Sequence, residues 1–347
     1  MTEVGLRLQE QPDRRKLIDD LAEQRGGRVG IDGVLSDLNR QAVQVQPPPA
    51  TAADYAFAWN DGDSKNTQWW PQGITTSADA SDVDDIAGRR VLMVGWYAKK
   101  VKGYTRGTRL SVVDISDPAR PSYRHVLLVE PRRNPHTDAV TMEPVPVHAG
   151  GIIWYGPSVL VADTHGGLRV FDVDDCMHVG DDGHYGYRYV LPQRTSYKAV
   201  NNEGFEPFKF SFVSLDRTAG EHQLIAGEYG KNGATTRLVR FAFEPGQPRL
   251  AMRGGYSPPL ELVADKLEHM QGATTVNGTY YISTSRGSLR PGTMWVRRPG
   301  EALLEFRGVL AKGPEDLTYW PQRDRLWNLC EYPKHRFVYS MPRAQFD

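Results

Sequence analysis

The stretch HMQGATTVNGTYYISTS, residues 269–285, almost repeats the earlier stretch WPQGITTS, residues 70–77. Each copy holds a Gln-Gly pair, one apolar residue and two threonines, and each leads into short runs rich in β-branched and aromatic residues. When the two copies are aligned on Gln72 and Gln271, the runs that follow occur in the same order. Self-similarity of this kind indicates a repeat architecture.

Three more copies fit the same alignment. The positions equivalent to the two glutamines are Gly150, Ser211 and Glu315. Each copy contains three short strand-like runs separated by Gly, Pro, Asn or Asp, and in four copies a fourth run follows, such as YRHVLLVEP at residues 123–131. Four strands per copy, arranged radially, are typical of a β-propeller. We therefore predict an all-β fold, a five-bladed β-propeller of four-stranded antiparallel blades.

The fifth copy has only three runs within the sequence, which would leave an open sheet edge. We expect an N-terminal strand to close it, and RQAVQVQ, residues 40–46, is the best candidate. The preceding stretch DRRKLIDDLAEQRGG predicts a helix that has Leu17 and Leu21 on one face and ends at Gly26. The sequence thus predicts a helical appendage over residues 1–39 and a single propeller domain over residues 40–347.

Composition limits the functional classes. Lysine plus arginine number 42, as do aspartate plus glutamate, and a net charge of zero argues against a general nucleic-acid binder. The sequence has no apolar run long enough for a membrane span, and its N-terminal residues lack the apolar core of a secretory signal. We expect a cytoplasmic protein, or a secreted one if a signal peptide has been removed; oligomeric state is not predicted.

Two segments resemble known propeller repeats. TRLSVVDISDPARPSYRHVLLV (residues 108–129) and GGLRVFDVDD (residues 166–175) are similar to the LVIVD-type repeat of bacterial propellers. GPEDLTYWPQRDRLWNLCEYPKHRFVYSM (residues 313–341) resembles the last blade of gluconolactonase-like and strictosidine-synthase-like propellers. Each resemblance covers one or two blades and implies the fold, whereas propellers perform many unrelated functions.

The repeat alignment also predicts where a site lies. In a propeller, the first strand of each blade begins, and the second strand ends, at the same face of the central channel. Side chains at these positions differ among the five copies, which indicates a specialised pocket. The predicted acids and bases are Glu315, Glu331, Glu228 and Asp163. The predicted substrate-binding residues are Gln72, Trp96, Tyr97, His148, Ser211, Tyr229, Gln271, Arg286 and Tyr332.

Each of these residue types also has a structural role open to it. The glutamines could bond backbone groups of neighbouring blades, and Asp163 and Glu228 could pair with arginines. His148 and His269 are candidate metal ligands, and a divalent cation such as calcium in the channel is left open. Loop cations, among them Lys99, form a predicted basic rim that would attract an anionic or polar ligand, although such charges are usually only solvated.

These observations predict an enzyme that acts on a polar or anionic small molecule in the channel by carboxylate and histidine acid–base chemistry. Hydrolase, lyase and cyclase reactions, of specialised metabolism for example, all fit. Glu315, Asp316 and Glu331 are crowded, and like charges raise the pKa of at least one of them. The alternative is a non-catalytic propeller that binds a carbohydrate or a protein partner.

Overall fold

The computed structural model describes residues 5–49, 51–180, 183–264 and 266–347. Within these residues, the strands form four sheets. The first sheet consists of two antiparallel units whose last strands, Ser122–Arg133 and Tyr189–Asn201, pair in parallel. We call these two units and the three other sheets blades one to five, in chain order. The strands of blades one and two are Trp69–Thr76, Val91–Ala98, Thr108–Asp114 and Ser122–Arg133, then Ile152–Tyr155, Ser158–Asp163, Gly167–Asp172 and Tyr189–Asn201. Those of blades three and four are Phe212–Asp216, Gln223–Gly227, Arg237–Ala242 and Glu261–Ala264, then Met270–Val276, Thr279–Thr284, Pro291–Arg297 and Leu304–Lys312. Blade five contains Pro314–Trp320, Arg325–Cys330 and Phe337–Pro342.

The first strands of the blades form a closed ring. Each contacts the first strand of the next blade, and the ring closes between Pro314–Trp320 and Trp69–Thr76. Glycines permit this approach: a Cβ atom at Gly151 would lie 2.1 Å from the Val213 amide nitrogen. The all-β propeller predicted from the repeats is confirmed.

An N-terminal strand completes blade five, as predicted, but the predicted segment is wrong. Tyr55–Ala58 pairs antiparallel with Phe337–Pro342, and Val43–Val45 pairs only with the outer side of Tyr55–Ala58. Arg40–Gln41 belongs to another sheet, because it pairs with the last strand of blade one. Burial explains why Tyr55–Ala58 is the closing strand. The Phe57 side chain is fully buried in the core between blades one and five, whereas Val43 is 56% exposed.

The predicted N-terminal helix spans Arg15–Arg25, and Gly26 ends it in the left-handed conformation (φ 86°). Its buried face consists of Ile18, Leu21 and Ala22, which pack against the outer strands of blades one and two. The preceding segment also contributes a strand, Leu6–Glu10, that pairs with Tyr189–Asn201 of blade two. The domain boundary at residues 39 and 40 stays a prediction.

The remaining elements are short connections. They are the helices Gly30–Leu35, Asp61–Lys65 and Ser77–Ala80, the strands Val140–Pro144 and Met177–His178, and the 3-10 turns Val173–Asp175, Pro321–Arg323 and Arg343–Phe346. None of the helices in the described part of the chain has the length and apolar character needed to cross a membrane.

The closing strand gives a first test. Phe57→Ala should lower the free energy of unfolding by about 3–5 kcal/mol, because it opens a cavity between blades one and five. Val43→Ala removes an exposed side chain from the neighbouring strand and should change that free energy by less than about 0.5 kcal/mol. Urea unfolding followed by tryptophan fluorescence measures both, and equal effects would contradict the assignment of Tyr55–Ala58 as the closing strand.

Candidate active site at the mouth of the central channel

Each copy of the repeated Gln-Gly motif contains a β-bulge. Strand pairing shifts register between Pro71 and Ile74 in blade one, and between Met270 and Gly272 in blade four. The same shift occurs between Pro314 and Leu317 in blade five. A bulge adds one residue to a strand and redirects its side chain. The bulges thus occur at Gln72, Gln271 and Glu315, the positions that the repeat alignment makes equivalent.

These three side chains meet in one cavity of about 450 Å³, here called the channel pocket. It lies where the first strands of the blades begin. Its lining residues are Gln72, Tyr97, His148, Gly150, Thr164, His165, Lys209, Ser211, Tyr229, Gln271, Glu315 and Glu331.

The glutamine of each Gln-Gly motif donates a hydrogen bond to one carboxyl group of blade five. Gln72 Nε2 donates to Glu331 Oε2 at 3.0 Å, and Gln271 Nε2 donates to Glu315 Oε1 at 3.2 Å. Gln72 Nε2 also donates to the main-chain oxygen of Pro71 at 2.9 Å. The two copies of the Gln-Gly motif thus supply the pocket with two amide donors, one for each carboxyl group.

The two carboxyl groups differ in their electrostatic surroundings. Burial raises the pKa of Glu315 well above its ordinary value, and the nearby charges of Glu331 and Asp316 raise it further. Burial also raises the pKa of Glu331, but the Gln72 amide and the cations Lys99 and Arg336 oppose that rise. Glu315 is therefore the more readily protonated member of the pair, and Glu331 the more readily ionised.

The cation beneath Glu331 is a buried arginine rather than a loop charge. Arg336 is fully buried; its Nε donates to the main-chain oxygen of Glu331, and its Nη1 donates to that of Asp63, each at 2.7 Å. Its guanidinium also lies over the rings of Trp70 and Trp96. Burial lowers the pKa of Arg336 to about 10, so it stays charged at neutral pH. Lys99, by contrast, is a rim cation, with its Nζ 3.2 Å from the Trp70 ring centroid.

Aromatic rings form one wall of the pocket. The Tyr97 ring lies against the His148 imidazole, with centroids 4.2 Å apart and planes inclined by 30°. Desolvation lowers the pKa of His148 to about 4, so the imidazole is neutral at pH 7, although the residue as a whole is exposed. Tyr229 lies 5.7 Å from the His269 ring, centroid to centroid. Among the described residues, no three His, Cys, Asp or Glu side chains are grouped to hold a metal ion, and the channel cation stays a prediction.

Three predicted site residues lie elsewhere. Glu228 is fully buried and accepts bonds from Arg237 Nε at 2.8 Å and Nη2 at 2.7 Å. Asp163 accepts from Arg169 Nε at 2.8 Å. Trp96 is buried in the core. None of the three lines the channel pocket, because the carboxylates turn toward arginines on the adjacent third strands of their own blades. They occupy the structural role that the sequence left open.

Arg286 and Tyr332 are not among the residues that line the pocket. The Tyr332 ring packs edge-on against Trp70, 6.0 Å between centroids, and Arg286 is half-buried in the loop after Thr284. Conversely, Lys209, Thr164 and His165 line the pocket although they were not among the predicted site residues. Lys209 lies just before the first strand of blade three, as His148 lies just before that of blade two, so the repeat alignment contains the signal that identifies it.

Asp316 points away from the pocket. Its Oδ2 accepts the main-chain amides of Ile74 at 3.0 Å and Ile152 at 3.4 Å, so this one carboxyl group joins the first strands of blades one, two and five. Burial raises the pKa of Asp316 well above its ordinary value. Within the part of the chain that the structure describes, its Oδ1 is buried without a hydrogen-bond partner.

Comparison with known proteins adds little about function. No protein-family model matches the chain, and no curated protein matches it. The GH43_1 enzyme from Xanthomonas citri, solved with xylotriose, is 12% identical, with a TM-score of 0.40 over 80% of this chain and 88% of that one. The β-propeller domain of Cps50 (Swd1) from Myceliophteria thermophila is 14% identical, with a TM-score of 0.31 over 72% of this chain and 66% of that one. At TM-scores this low, the likenesses indicate no function for this chain.

The raised pKa of Glu315 makes stability depend on pH. The folded state holds a proton on Glu315 at pH values where an unfolded glutamate, of pKa 4.5, has lost it. The free energy of unfolding should therefore fall as pH rises from about 4.5 through the folded pKa. Glu315→Gln removes this contribution and should flatten the decline between pH 5 and pH 8. Urea unfolding at four pH values measures it, and parallel curves for the two proteins would contradict the raised pKa.

Proposed function

We propose that this propeller is an enzyme that acts on a polar or anionic small molecule in the channel pocket, with Glu315 as general acid and Glu331 as general base. One observation carries the proposal. Two carboxyl groups face the same cavity, and burial raises the pKa of both, but more strongly for Glu315 than for Glu331, whose rise is opposed by the Gln72 amide and by the cations Lys99 and Arg336. Paired titratable groups whose pKa values are pushed apart are a common basis of acid–base catalysis.

The chemistry follows from the contacts. Protonated Glu315 donates a proton to the leaving-group oxygen of the substrate, while ionised Glu331 accepts one from water or from a substrate hydroxyl. The amides of Gln72 and Gln271 hold the two carboxyl groups in place, which preserves their geometry between turnovers. Hydrolysis of an ester, lactone or glycoside uses both transfers, and a lyase or cyclase would use the same pair.

The pocket favours a small, polar substrate. Its volume of about 450 Å³ is within the range of small-molecule sites. The Tyr97 ring can cover a flat or apolar face of the substrate, and Lys209 offers a cation to an anionic substituent. Ser211 adds a hydroxyl group that both donates and accepts hydrogen bonds.

The alternative is a binding protein for a carbohydrate or a protein partner. It is favoured by the hydrogen bonds that the Gln72 and Gln271 amides donate to the two carboxyl groups. Carboxyl groups that already have hydrogen-bond partners can have the purely structural role of shaping a binding site. The two functions differ in one respect: a binding protein holds its ligand without converting it.

Activity measurements on a substrate panel test the proposal. The panel contains chromogenic 4-nitrophenyl glycosides, 4-nitrophenyl esters and small lactones. Glu315→Gln and Glu331→Gln should each lower kcat by about 10²–10⁴-fold on any substrate that the wild-type protein converts, because each removes one proton transfer. Glu203→Gln, a change at an exposed loop position, is the matched control and should keep full activity.

The pH dependence adds a second criterion. The rate should fall as pH rises through the pKa of Glu315, because the proton donor is lost. Full activity in both variants would contradict the catalytic assignment. Saturable binding of a panel member without conversion by the wild-type protein would favour the binding protein.

A further inference from the structure

A second, larger cavity opens beside blade one. Its volume is about 710 Å³, and it shares no lining residue with the channel pocket. The tryptophan pair at the start of blade one separates the two. Trp69 lines the second cavity, whereas Trp70 packs against Lys99 and Tyr332 at the rim of the channel pocket. Nothing in the proposed reaction uses this second cavity.

Arginines dominate its lining, and we call it the arginine pocket. Five line it: Arg40, Arg106, Arg109, Arg124 and Arg188. Asp63 is the acidic residue of the lining, and Asp37 pairs with Arg124 from outside it, 2.8 Å from Nη2. With Arg188 left out of the count, the other four arginines and the two carboxylates leave an excess of two positive charges among the described residues.

The Asp63 carboxylate already has several partners within the protein. Its Oδ1 lies 2.8 Å from Arg109 Nη2, and its Oδ2 accepts from the Tyr123 hydroxyl at 2.7 Å. His125 Nε2 lies 3.0 Å from the same Oδ2. These partners hold the pKa of Asp63 well below its ordinary value, so Asp63 stays ionised. Its single charge is shared between Arg109 and Arg40, whose Nε lies 3.5 Å from Oδ2.

Two of the arginines are fixed in place by packing. The side chains of Arg109 and Arg124 are nearly buried. The Arg109 guanidinium lies over Trp69 at 4.6 Å and over Trp96 at 4.8 Å from the ring centroids, and its buried Nε has no hydrogen-bond partner among the described residues. A guanidinium held in this way is preorganised for an anion, since less side-chain freedom is lost when the anion binds.

We infer that the arginine pocket binds a multivalent oxyanion, the chemistry shared by organic phosphates and small polycarboxylates. The excess positive charge requires more than one negative charge for compensation. Guanidinium groups pair with phosphate and carboxylate oxygens in two-point contacts. The volume accommodates an anion with an organic group attached, and Tyr185 and Tyr187 in the lining offer rings for that group.

Calorimetric titration of the full chain with pyrophosphate and, separately, with citrate tests the inference at physiological ionic strength. One of the two anions should bind in a saturable manner with a stoichiometry of one, and the preferred anion identifies the phosphate or the polycarboxylate class. Arg106→Gln and Arg40→Gln should each raise Kd about tenfold, because each removes a charge-assisted contact. Lys100→Gln removes the same charge from the same loop as Arg106 but lies outside the pocket, and it should leave Kd unchanged.

Three results would overturn the inference. The first is the absence of saturable binding of either anion. The second is an equal effect of Lys100→Gln and Arg106→Gln, which would show that only overall charge matters. The third is weaker binding in Lys209→Gln with none in the two arginine variants, which would locate the anion in the channel pocket. These experiments measure binding alone, so they are independent of whether Glu315 and Glu331 are catalytic.

Discussion

The close approach of the five first strands at the propeller axis is the constraint on which the rest of the structure depends. A Cβ atom at Gly150 would lie 1.9 Å from the Ser211 main-chain oxygen, and one at Gly272 would lie 2.5 Å from the Leu317 amide nitrogen. No side chain fits at such distances, so these positions require glycine. With the backbones this close, side chains near the axis have little access to water. That desolvation is the main cause of the raised pKa of Glu315.

The bulge in blade five uses two successive carboxyl groups in opposite directions. Asp316 turns inward and accepts hydrogen bonds from main-chain amides of blades one and two, while Glu315 turns into the channel pocket. Asn328 Nδ2 fixes the bulge by donating to the main-chain oxygens of both residues, at 2.9 Å and 2.8 Å. The Ser283 hydroxyl donates to the Glu315 oxygen at 2.8 Å. One irregular stretch of backbone thus ties the ring together and presents a buried acid to the pocket.

The sequence predicted those features that repeat. Equivalent positions in a propeller share a face, and that rule placed Gln72, Gln271 and Glu315 at one opening. It could not show whether Glu228 faces the pocket or the Arg237 guanidinium, because both orientations are compatible with the same strand. The closing strand YAFA, residues 55–58, was missed because four residues carry little strand signal and tertiary burial selected them. The arginine pocket joins five distant segments, a juxtaposition that no local pattern reports.

The protonation state of Glu315 is the central claim, and a carbon-13 NMR titration of protein labelled at the glutamate carboxyl carbons tests it most directly. The glutamate resonance that titrates farthest above the ordinary glutamate pKa of 4.5 should be missing from the spectrum of Glu315→Gln, whereas the resonance of Glu331, whose pKa is also raised, should remain. If every glutamate resonance titrated near the ordinary value, or if the most strongly shifted resonance persisted in Glu315→Gln, the account of the channel pocket as an acid–base site would be contradicted.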